Sequence, residues 1–363
     1  MRVPPHAISS EGGPVKAVIP VRSPSTVSQV PTSPLSGPPA MYASVIVLVS
    51  AFWSVATVKA APSSMNPSIF ARDDDISTIL NPASVLTLTA PIISDFAPYT
   101  EFARAAYCAS DIITGWQCGE ACDAIPGFEP TLTGGDGDDI QLYFVGYWPS
   151  ENAVVVAHQG TDPTELLSDL TDVDIITENL NSTLFPGVSS DVWVHSGFAN
   201  EQAKTADIIL QETQYLIQTQ GADTVILVGH SLGAAIAELD AMFMTLNLPS
   251  NIAIKARTYG TPRVGNPAWA DLFDEMVPNF TRMNNEKDPI PIVPGRFLGF
   301  EHPETEVHIV SEADNNVVAC PGNDDATDAQ CTIMTVPNVL DGDILDHLGP
   351  YPGGIYIGTI YCT

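Results

Sequence analysis

The chain has few basic residues. Its 363 residues include 13 lysines and arginines against 43 aspartates and glutamates, which gives a formal net charge of −30. Nucleic acids and anionic membranes attract positively charged proteins, so this composition argues against both as partners. An acidic surface fits an extracellular protein that works at mildly acidic pH, and it fits a merely solvated surface equally well.

Long hydrophobic runs are also scarce. Residues 41–58 form one uncharged, mainly apolar run, and Lys59 and Ala60 follow it. This pattern is typical of a secretory signal peptide, whereas a signal anchor is the alternative because 18 residues approach the length of a bilayer span. The first 40 residues are rich in proline and cannot pack a core. The predicted organisation has three parts: a disordered or mis-assigned extension at 1–40, a signal peptide at 41–60 and a single domain at 61–363.

The six cysteines all lie beyond the predicted signal peptide. An even number in a secreted chain predicts three disulfides, and short loops favour Cys118–Cys122 and Cys320–Cys331. Zinc at Cys118 and Cys122 is the alternative, but no histidine or second cysteine pair lies near them in sequence. The acidic loop at 136–139 lacks the spacing of a known calcium loop. We therefore predict no metal and no cofactor.

Two Asn-X-Ser/Thr sequons, at Asn181 and Asn279, agree with a secretory route. Such sequons accept glycans on the surfaces of secreted proteins. We therefore expect a secreted, extracellular glycoprotein.

Strand-like and helix-like segments alternate along the chain from about residue 90. Helices are predicted at 92–109 and 200–218, a loop at 110–139, and strands at 140–147, 153–158, 193–198, 224–228, 252–259, 280–284 and 306–310. This alternation predicts an α/β fold with a mostly parallel central sheet covered by helices on both faces.

A Gly-His-Ser-Leu-Gly sequence at 229–233 lies between a β-branched strand and a segment of helix formers. Strand, G-x-S-x-G and helix together are typical of a nucleophile elbow, in which the serine is held in a strained conformation above the sheet. The alternative is a glycine-rich turn with an incidental serine. We predict that Ser231 is a nucleophile.

A serine nucleophile needs a histidine base, which in this chain order comes after an acid. Three histidines remain after the elbow. His308 alternates with apolar residues in a strand and is expected to face a sheet surface, while His302 lies in a charged turn. His347 lies in a loop near the end of the chain, so we predict it as the base, with a merely solvated loop histidine as the alternative.

Asp288 is the predicted acid, because it stands at the end of a strand and a proline follows it. A simple turn residue is the alternative for Asp288, and Asp271 and Asp274 are expected to be solvated on a helix face. The oxyanion of the transition state needs two backbone N–H donors. Leu232, directly after the nucleophile, and Thr161, in the loop after an early strand, are the predicted donors.

With these residues assembled, the chain resembles the fungal class 3 lipases, which include triacylglycerol lipases and related feruloyl esterases. The resemblance rests on Ser231, Asp288 and His347 together with segments 156–162 and 194–198, and it covers roughly residues 90–363. It implies an α/β-hydrolase fold, hydrolysis of carboxylic esters and Thr161 in the oxyanion position. It also implies the remaining disulfide, Cys108–Cys362.

The family's lid is a short amphipathic helix after the oxyanion residue. Here that segment is 163–170, and Leu166, Leu167 and Leu170 would form its apolar face. The alternative is that the three leucines are permanently packed core.

The function that these features favour is a secreted serine esterase of the lipase type. It would cleave acylglycerols through an acyl-enzyme at a lipid–water interface, without a stable protein partner. A feruloyl or other aromatic-ester esterase is the alternative within the same class. A non-catalytic binding protein and a wall-anchored hydrolase are further alternatives.

Overall fold

The computed structural model of the chain describes residues 79–171 and 175–362. All of them belong to one compact unit, Pro67–Thr363. The predicted extension and signal peptide lie outside the described residues, so the three-part organisation stays a prediction. In the described part, no helix combines the length and the apolar character needed to cross a membrane.

The described strands form a nine-stranded sheet and a separate two-stranded one. The strands are β1 (Leu86–Thr87), β2 (Glu129–Gly134), β3 (Tyr143–Trp148), β4 (Ala153–His158), β5 (Thr177–Asn179), β6 (Trp193–His195), β7 (Thr224–His230), β8 (Ala253–Tyr259), β9 (Phe280–Asn285), β10 (Glu306–Ser311) and β11 (Asn316–Cys320).

Helices connect these strands and cover the sheet. They are α1 (Ala90–Ser94), α2 (Ala97–Ala105), α3 (Ser110–Thr114), α4 (Glu120–Ala124), α5 (Pro163–Thr171), α6 (Ser196–Gln220), α7 (Leu232–Asn247), α8 (Pro267–Met276) and α9 (Thr332–Thr335). Short 3-10 turns, among them Ile290–Ile292 and Asp346–Leu348, complete the connections.

The large sheet runs in the order β1-β11-β10-β9-β8-β7-β4-β3-β2. Its five central strands, from β10 to β4, are parallel to one another, and the pairs at both edges are antiparallel. The mostly parallel sheet that the sequence predicts therefore corresponds to these five central strands. The carboxyl ends of the five parallel strands lie at the same edge of the sheet, where ligands bind in open α/β folds.

Strand β7 explains why both faces of the sheet are covered. Val225 and Leu227 belong to one buried apolar cluster, and Ile226 and Val228 belong to another. Successive side chains of a strand point to opposite faces, so this run supplies apolar side chains to two cores. A strand buried on both faces has a continuous run of apolar residues, and this run is what predicts β7 from the sequence.

The predicted loop at 110–139 was wrong. It contains the short helices α3 and α4 and the edge strand β2. Phe128, next to β2, packs its ring 4.9 Å from that of Phe102 and 4.4 Å from that of Trp116. These contacts are made between separate segments of the chain, whereas the loop prediction used only the local content of glycine and aspartate.

The helix predicted at 92–109 is two helices, α1 and α2. Pro98 lies in the first turn of α2, where its missing N–H leaves no helical hydrogen bond unmade. The same proline inside a continuous helix would break it, so the chain bends at Asp95 and Phe96 instead.

Three disulfides join the six cysteines in the pairs expected above: Cys108–Cys362, Cys118–Cys122 and Cys320–Cys331. The first spans 254 residues and ties the segment after α2 to the end of the described chain. The Cys118–Cys122 bond leaves neither thiolate available for zinc, so the alternative metal interpretation of this pair was wrong.

Candidate active site

The elbow at the end of β7 explains both glycines of the G-x-S-x-G sequence. A Cβ on Gly229 would overlap the backbone carbonyl of Gly233, and a Cβ on Gly233 would overlap that of His158. Between them Ser231 has φ 63° and ψ −129°, a conformation that is costly for a residue with a side chain. The glycines therefore allow α7 to start directly above the sheet with the serine at its first turn.

His347 and Asp288 form a buried pair beside this elbow. The Nδ1 atom of His347 lies 2.7 Å from a carboxylate oxygen of Asp288, and both side chains are fully buried. The carboxylate accepts hydrogen bonds, so Nδ1 carries the proton and Nε2 is left as the basic nitrogen. The other carboxylate oxygen of Asp288 accepts the N–H of Ile290 at 2.8 Å, which fixes the orientation of this carboxylate.

Two buried polar atoms at this site have no hydrogen-bond partner among the described residues: Oγ of Ser231 and Nε2 of His347. Buried polar groups are nearly always paired, so unpaired ones demand a functional or structural explanation. The imidazole of His230, the residue before Ser231, lies 4.3 Å from the imidazole of His347 between ring centroids. The structure thus brings the three residues that the sequence predicts as nucleophile, acid and base to one end of the sheet.

Gly260, which directly follows β8, is a site residue that the sequence analysis missed. It has φ +54°, and a Cβ there would lie 2.6 Å from Cε1 of His347 and 2.9 Å from Oδ2 of Asp288. Asp288 and His347 can therefore approach the sheet only because this position lacks a side chain. An invariant glycine in an alignment of relatives would be a signal for such a position.

The loop after β4 lies against the elbow. A Cβ on Gly160 would stand 2.7 Å from Cβ of Ser231, so the loop's backbone passes close over the serine. Thr161 follows and is partly exposed, as is Leu232 at the first position of α7. The first N–H groups of a helix have no partner within it, and the helix dipole favours negative charge there. The two predicted oxyanion donors thus flank Ser231 along the chain and across the loop.

The side chains of Tyr107 and His230 connect the elbow to the backbone of His347, and the sequence alone gave neither of them a role. The hydroxyl of Tyr107 lies 2.7 Å from Nδ1 of His230, and Nε2 of His230 lies 2.8 Å from the backbone oxygen of His347. Tyr107 is 124 positions before the elbow's serine in the printed sequence, so only the folded chain shows the link.

The other two candidate histidines are bound elsewhere. Nε2 of His302 lies 2.8 Å from the carbonyl of Pro291, and both ring nitrogens of His308 contact backbone carbonyls, those of Glu286 and Gln330. Both side chains are buried, and His308 lies in the strand β10, where the alternation with apolar residues predicts it. The ring of His308 links β10 to Glu286 and Gln330, and the ring of His302 contacts the turn at Ile290–Ile292.

Asp271 and Asp274 were expected to be solvated, and this expectation was wrong for Asp274. Asp274 is partly buried, and it accepts hydrogen bonds from the N–H of Glu304 at 2.9 Å and from the amide of Asn323 at 2.6 Å. Burial raises the pKa of its carboxyl to about 6. Asp271 is exposed, as predicted.

The predicted lid is a helix, α5. Asp162 caps it, because its carboxylate accepts the N–H groups of Thr164 at 2.8 Å and of Glu165 at 3.3 Å. Leu166 and Leu170 are 5 % and 1 % exposed and belong to the large apolar cluster on one face of the sheet. The partly buried Leu167 packs against the same cluster. In this state the apolar face of α5 is covered.

The two predicted glycosylation sites differ in exposure. Asn181 is exposed, whereas Asn279 is partly buried and its side-chain oxygen accepts a hydrogen bond from the guanidinium of Arg257 at 2.6 Å. Both stay predictions.

Comparison with known proteins agrees with this geometry. Residues 155–298 match the family model described as Lipase (class 3). A secreted alkaline triacylglycerol lipase of Penicillium cyclopium is 30 % identical over 247 residues, which are 66 % of this chain and 82 % of that protein. A secreted mono- and diacylglycerol lipase of Malassezia globosa is 28 % identical over 262 residues, which are 71 % of this chain and 81 % of that protein.

A solved structure leads to the same family. A triacylglycerol lipase whose catalytic centre is described as a serine protease triad superposes with a TM-score of 0.66 at 26 % identity, over 77 % of this chain and all of that one. The fold, the buried pair beside the elbow and these relatives agree with one another, and the chain therefore belongs to the fungal class 3 lipase family, as a carboxylic-ester hydrolase of the lipase type.

Proposed function

We propose that the chain is a secreted acylglycerol lipase in which Ser231 is the nucleophile, His347 the base and Asp288 the group that orients it. The observation that carries this proposal is the pair of unpartnered, buried atoms, Oγ of Ser231 and Nε2 of His347, beside the hydrogen-bonded pair of His347 and Asp288. A free hydroxyl and a free basic nitrogen are what an acyl-transfer site needs before substrate arrives.

In the acylation step, Oγ of Ser231 attacks the ester carbonyl as Nε2 of His347 takes its proton. The carbonyl oxygen becomes an oxyanion, which the N–H groups of Leu232 and Thr161 stabilise. The tetrahedral intermediate then collapses, the ester C–O bond breaks, and the alcohol leaves with the proton from His347. Asp288 stabilises the imidazolium throughout without accepting its proton.

In the deacylation step, water attacks the carbonyl of the acyl-enzyme while Nε2 of His347 accepts one of its protons. A second oxyanion forms in the same place and collapses, and the proton returns to Oγ of Ser231. The carboxylic acid is released and the free enzyme is restored. Both steps use the same groups, so loss of any one affects the whole cycle.

Access to the site requires a movement. Ser231 and His347 are each 0 % exposed, so an ester carbonyl cannot reach Oγ in the arrangement described. Helix α5 starts two residues after Thr161, and its leucines cover apolar surface. We infer that α5 is the gate, which covers an acyl groove when closed and contacts lipid when open.

Acylglycerols at a lipid–water interface are the proposed substrate. The names of the relatives from Penicillium and Malassezia describe acylglycerol lipases, and both describe secreted proteins. Secretion of this chain agrees with its three disulfides, because such bonds persist in oxidising compartments. N-terminal sequencing of secreted protein should start near Ala61, and material that includes residues before Met41 would contradict the predicted signal peptide.

Ser231→Ala tests the proposed nucleophile. We expect folded protein whose turnover of a p-nitrophenyl ester falls by about 10⁴-fold or more. A fluorophosphonate should label the wild type once, at Ser231, and should not label the variant. Ser94→Ala is the matched control, because Ser94 is an exposed serine in α1 whose hydroxyl bonds to the carbonyl of Pro91. A folded Ser231→Ala variant with a tenth of wild-type activity would overturn the assignment.

Substrate class is tested separately with the wild type. Rates on emulsified triglycerides, on a p-nitrophenyl ester series and on methyl ferulate should favour the glycerides. A higher kcat/KM on methyl ferulate would instead support the aromatic-ester alternative.

A further inference from the structure

Tyr107 links three parts of the site although it lies outside the catalytic constellation. It follows α2, is 6 % exposed, and places its hydroxyl 2.7 Å from Nδ1 of His230. The backbone of Gly160 passes close to the same oxygen, since a Cβ on Gly160 would lie 2.4 Å from it. One hydroxyl thus contacts both the elbow and the loop that carries Thr161.

His230 carries the link onward to the base. Its Nε2 lies 2.8 Å from the backbone carbonyl of His347, an atom that only accepts hydrogen bonds, so Nε2 holds the proton. In the neutral ring Nδ1 is then an acceptor, and it takes the hydroxyl proton of Tyr107. The hydroxyl of Tyr351 donates to the same carbonyl of His347 at 3.1 Å. The hydrogen bonds therefore run in one direction, from the hydroxyl of Tyr107 to His230 and from His230 to the backbone of His347.

We propose that Tyr107 is a positioning residue for ester hydrolysis, which acts through His230 to hold the base in register with Ser231. This inference rests on the proposed function, since it needs Ser231 as nucleophile and His347 as base. Tyr107 touches no reacting atom, and its effect comes from where it keeps His230 and the backbone of His347.

The electrostatics of the pocket support a neutral His230. Burial lowers the pKa of His230 well below its usual value, and the neighbouring His347 lowers it further. The other groups near the ring are Tyr107 and Tyr351, and burial raises the pKa of each above the usual value, so both stay protonated. A neutral His230 keeps its directed hydrogen bonds and does not repel the imidazolium that forms on His347 during catalysis.

The test is Tyr107→Phe, which keeps the ring and removes the hydroxyl. We expect kcat per active site to fall by about 10- to 100-fold, because displacing the base by a fraction of an ångström costs rate of this order. KM should stay within about twofold, since the substrate-binding surface is unchanged. Active sites are counted by fluorophosphonate titration, so misfolded protein does not enter kcat.

Tyr259→Phe is the matched control. Tyr259 is equally buried, belongs to the same apolar cluster, and its hydroxyl bonds to the carbonyl of Phe96 and to the hydroxyl of Thr100. A purely structural role for Tyr107 would make the two variants alike: both would lose thermal stability and both would keep wild-type kcat per titrated site. That result would overturn the proposal.

A second variant tests the route through His230. His230→Phe keeps an aromatic ring against His347 but removes both hydrogen bonds. If Tyr107 acts through His230, the double variant should have the kcat of His230→Phe alone, whereas multiplied losses would refute the route. Wild-type labelling at a residue other than Ser231 would refute the proposed function itself. Labelling at Ser231 combined with unchanged kcat in Tyr107→Phe would refute this inference alone.

Discussion

Gly260→Ala should damage catalysis far more than it damages folding. The added Cβ would lie 2.6 Å from Cε1 of His347, 2.7 Å from its Nδ1 and 2.9 Å from Oδ2 of Asp288. Ordinary contact begins near 3.4 Å. The imidazole must therefore move by about 0.8 Å or lose its hydrogen bond to the acid, and a misplacement of about 1 Å costs roughly 10² in rate.

The stability cost has a separate origin. Gly260 has φ +54°, and a residue with a Cβ in the left-handed region costs about 1–2 kcal/mol. Gly221, the residue after α6, isolates this cost, because it has φ +74° and nothing lies within 4 Å of the position its Cβ would take. Gly221→Ala should lose similar stability and keep full activity.

The assay is kcat on a soluble p-nitrophenyl ester per fluorophosphonate-titrated site, beside urea unfolding of both variants. We expect Gly260→Ala to fall by about 10²-fold in kcat, from the displacement alone, and Gly221→Ala to match the wild type. Equal activity of the two variants would show that the base tolerates the displacement, and it would refute the reasoning from contact distances.

Three further predictions follow from the structure. Burial raises the pKa of Glu238 from 4.5 to about 8, so the folded protein keeps this proton to a higher pH than the unfolded chain, and the stability falls as the pH rises between these values. Glu238→Gln should reduce the loss of stability between pH 5 and pH 8 in urea unfolding, and an unchanged loss would contradict this prediction. Replacing both Cys108 and Cys362 with serine opens a link spanning 254 residues and should cost about 5 kcal/mol on the chain-entropy model, so a loss below about 1 kcal/mol in urea unfolding would argue against it. Leu167→Ser should lower turnover of emulsified long-chain triglyceride far more than of a soluble short-chain ester at an almost unchanged melting temperature, whereas equal losses on the two substrates would reject α5 as a gate.

The parts of the fold that the sequence predicted are those in which local pattern and tertiary structure agree. The strand predicted at 153–158 is β4 with the same bounds, and the strand before the elbow extends from Thr224 to His230. These strands are buried on both faces, so their apolar runs carry the whole signal. Strand β11 was missed because Asn316–Cys320 is short and gains its hydrogen bonds from β10, which a single sequence does not reveal.

The residues of the candidate site show the same difference between local sequence patterns and long-range contacts. Ser231 could be proposed from the sequence because its geometry depends on neighbouring glycines, and His347 and Asp288 could be proposed because chain order restricts the choice. Gly260 and Tyr107 were missed because their roles depend on approaches between segments far apart in the chain. No local composition indicates that a glycine after β8 will face an imidazole 87 positions later in the printed sequence.

The site concentrates features that destabilise the folded state. Ser231 has a backbone conformation that costs of order 1–3 kcal/mol, and two buried atoms without partners, on Ser231 and His347, cost a similar amount each. Such costs persist only where the surroundings allow no alternative. Here β7 is buried on both faces, and the glycines of the elbow leave α7 a single close path across the strand. The strained serine and the unpaired imidazole nitrogen are therefore a consequence of rigid packing beneath them, and the proposed function needs the same rigidity to keep both atoms in place for the ester.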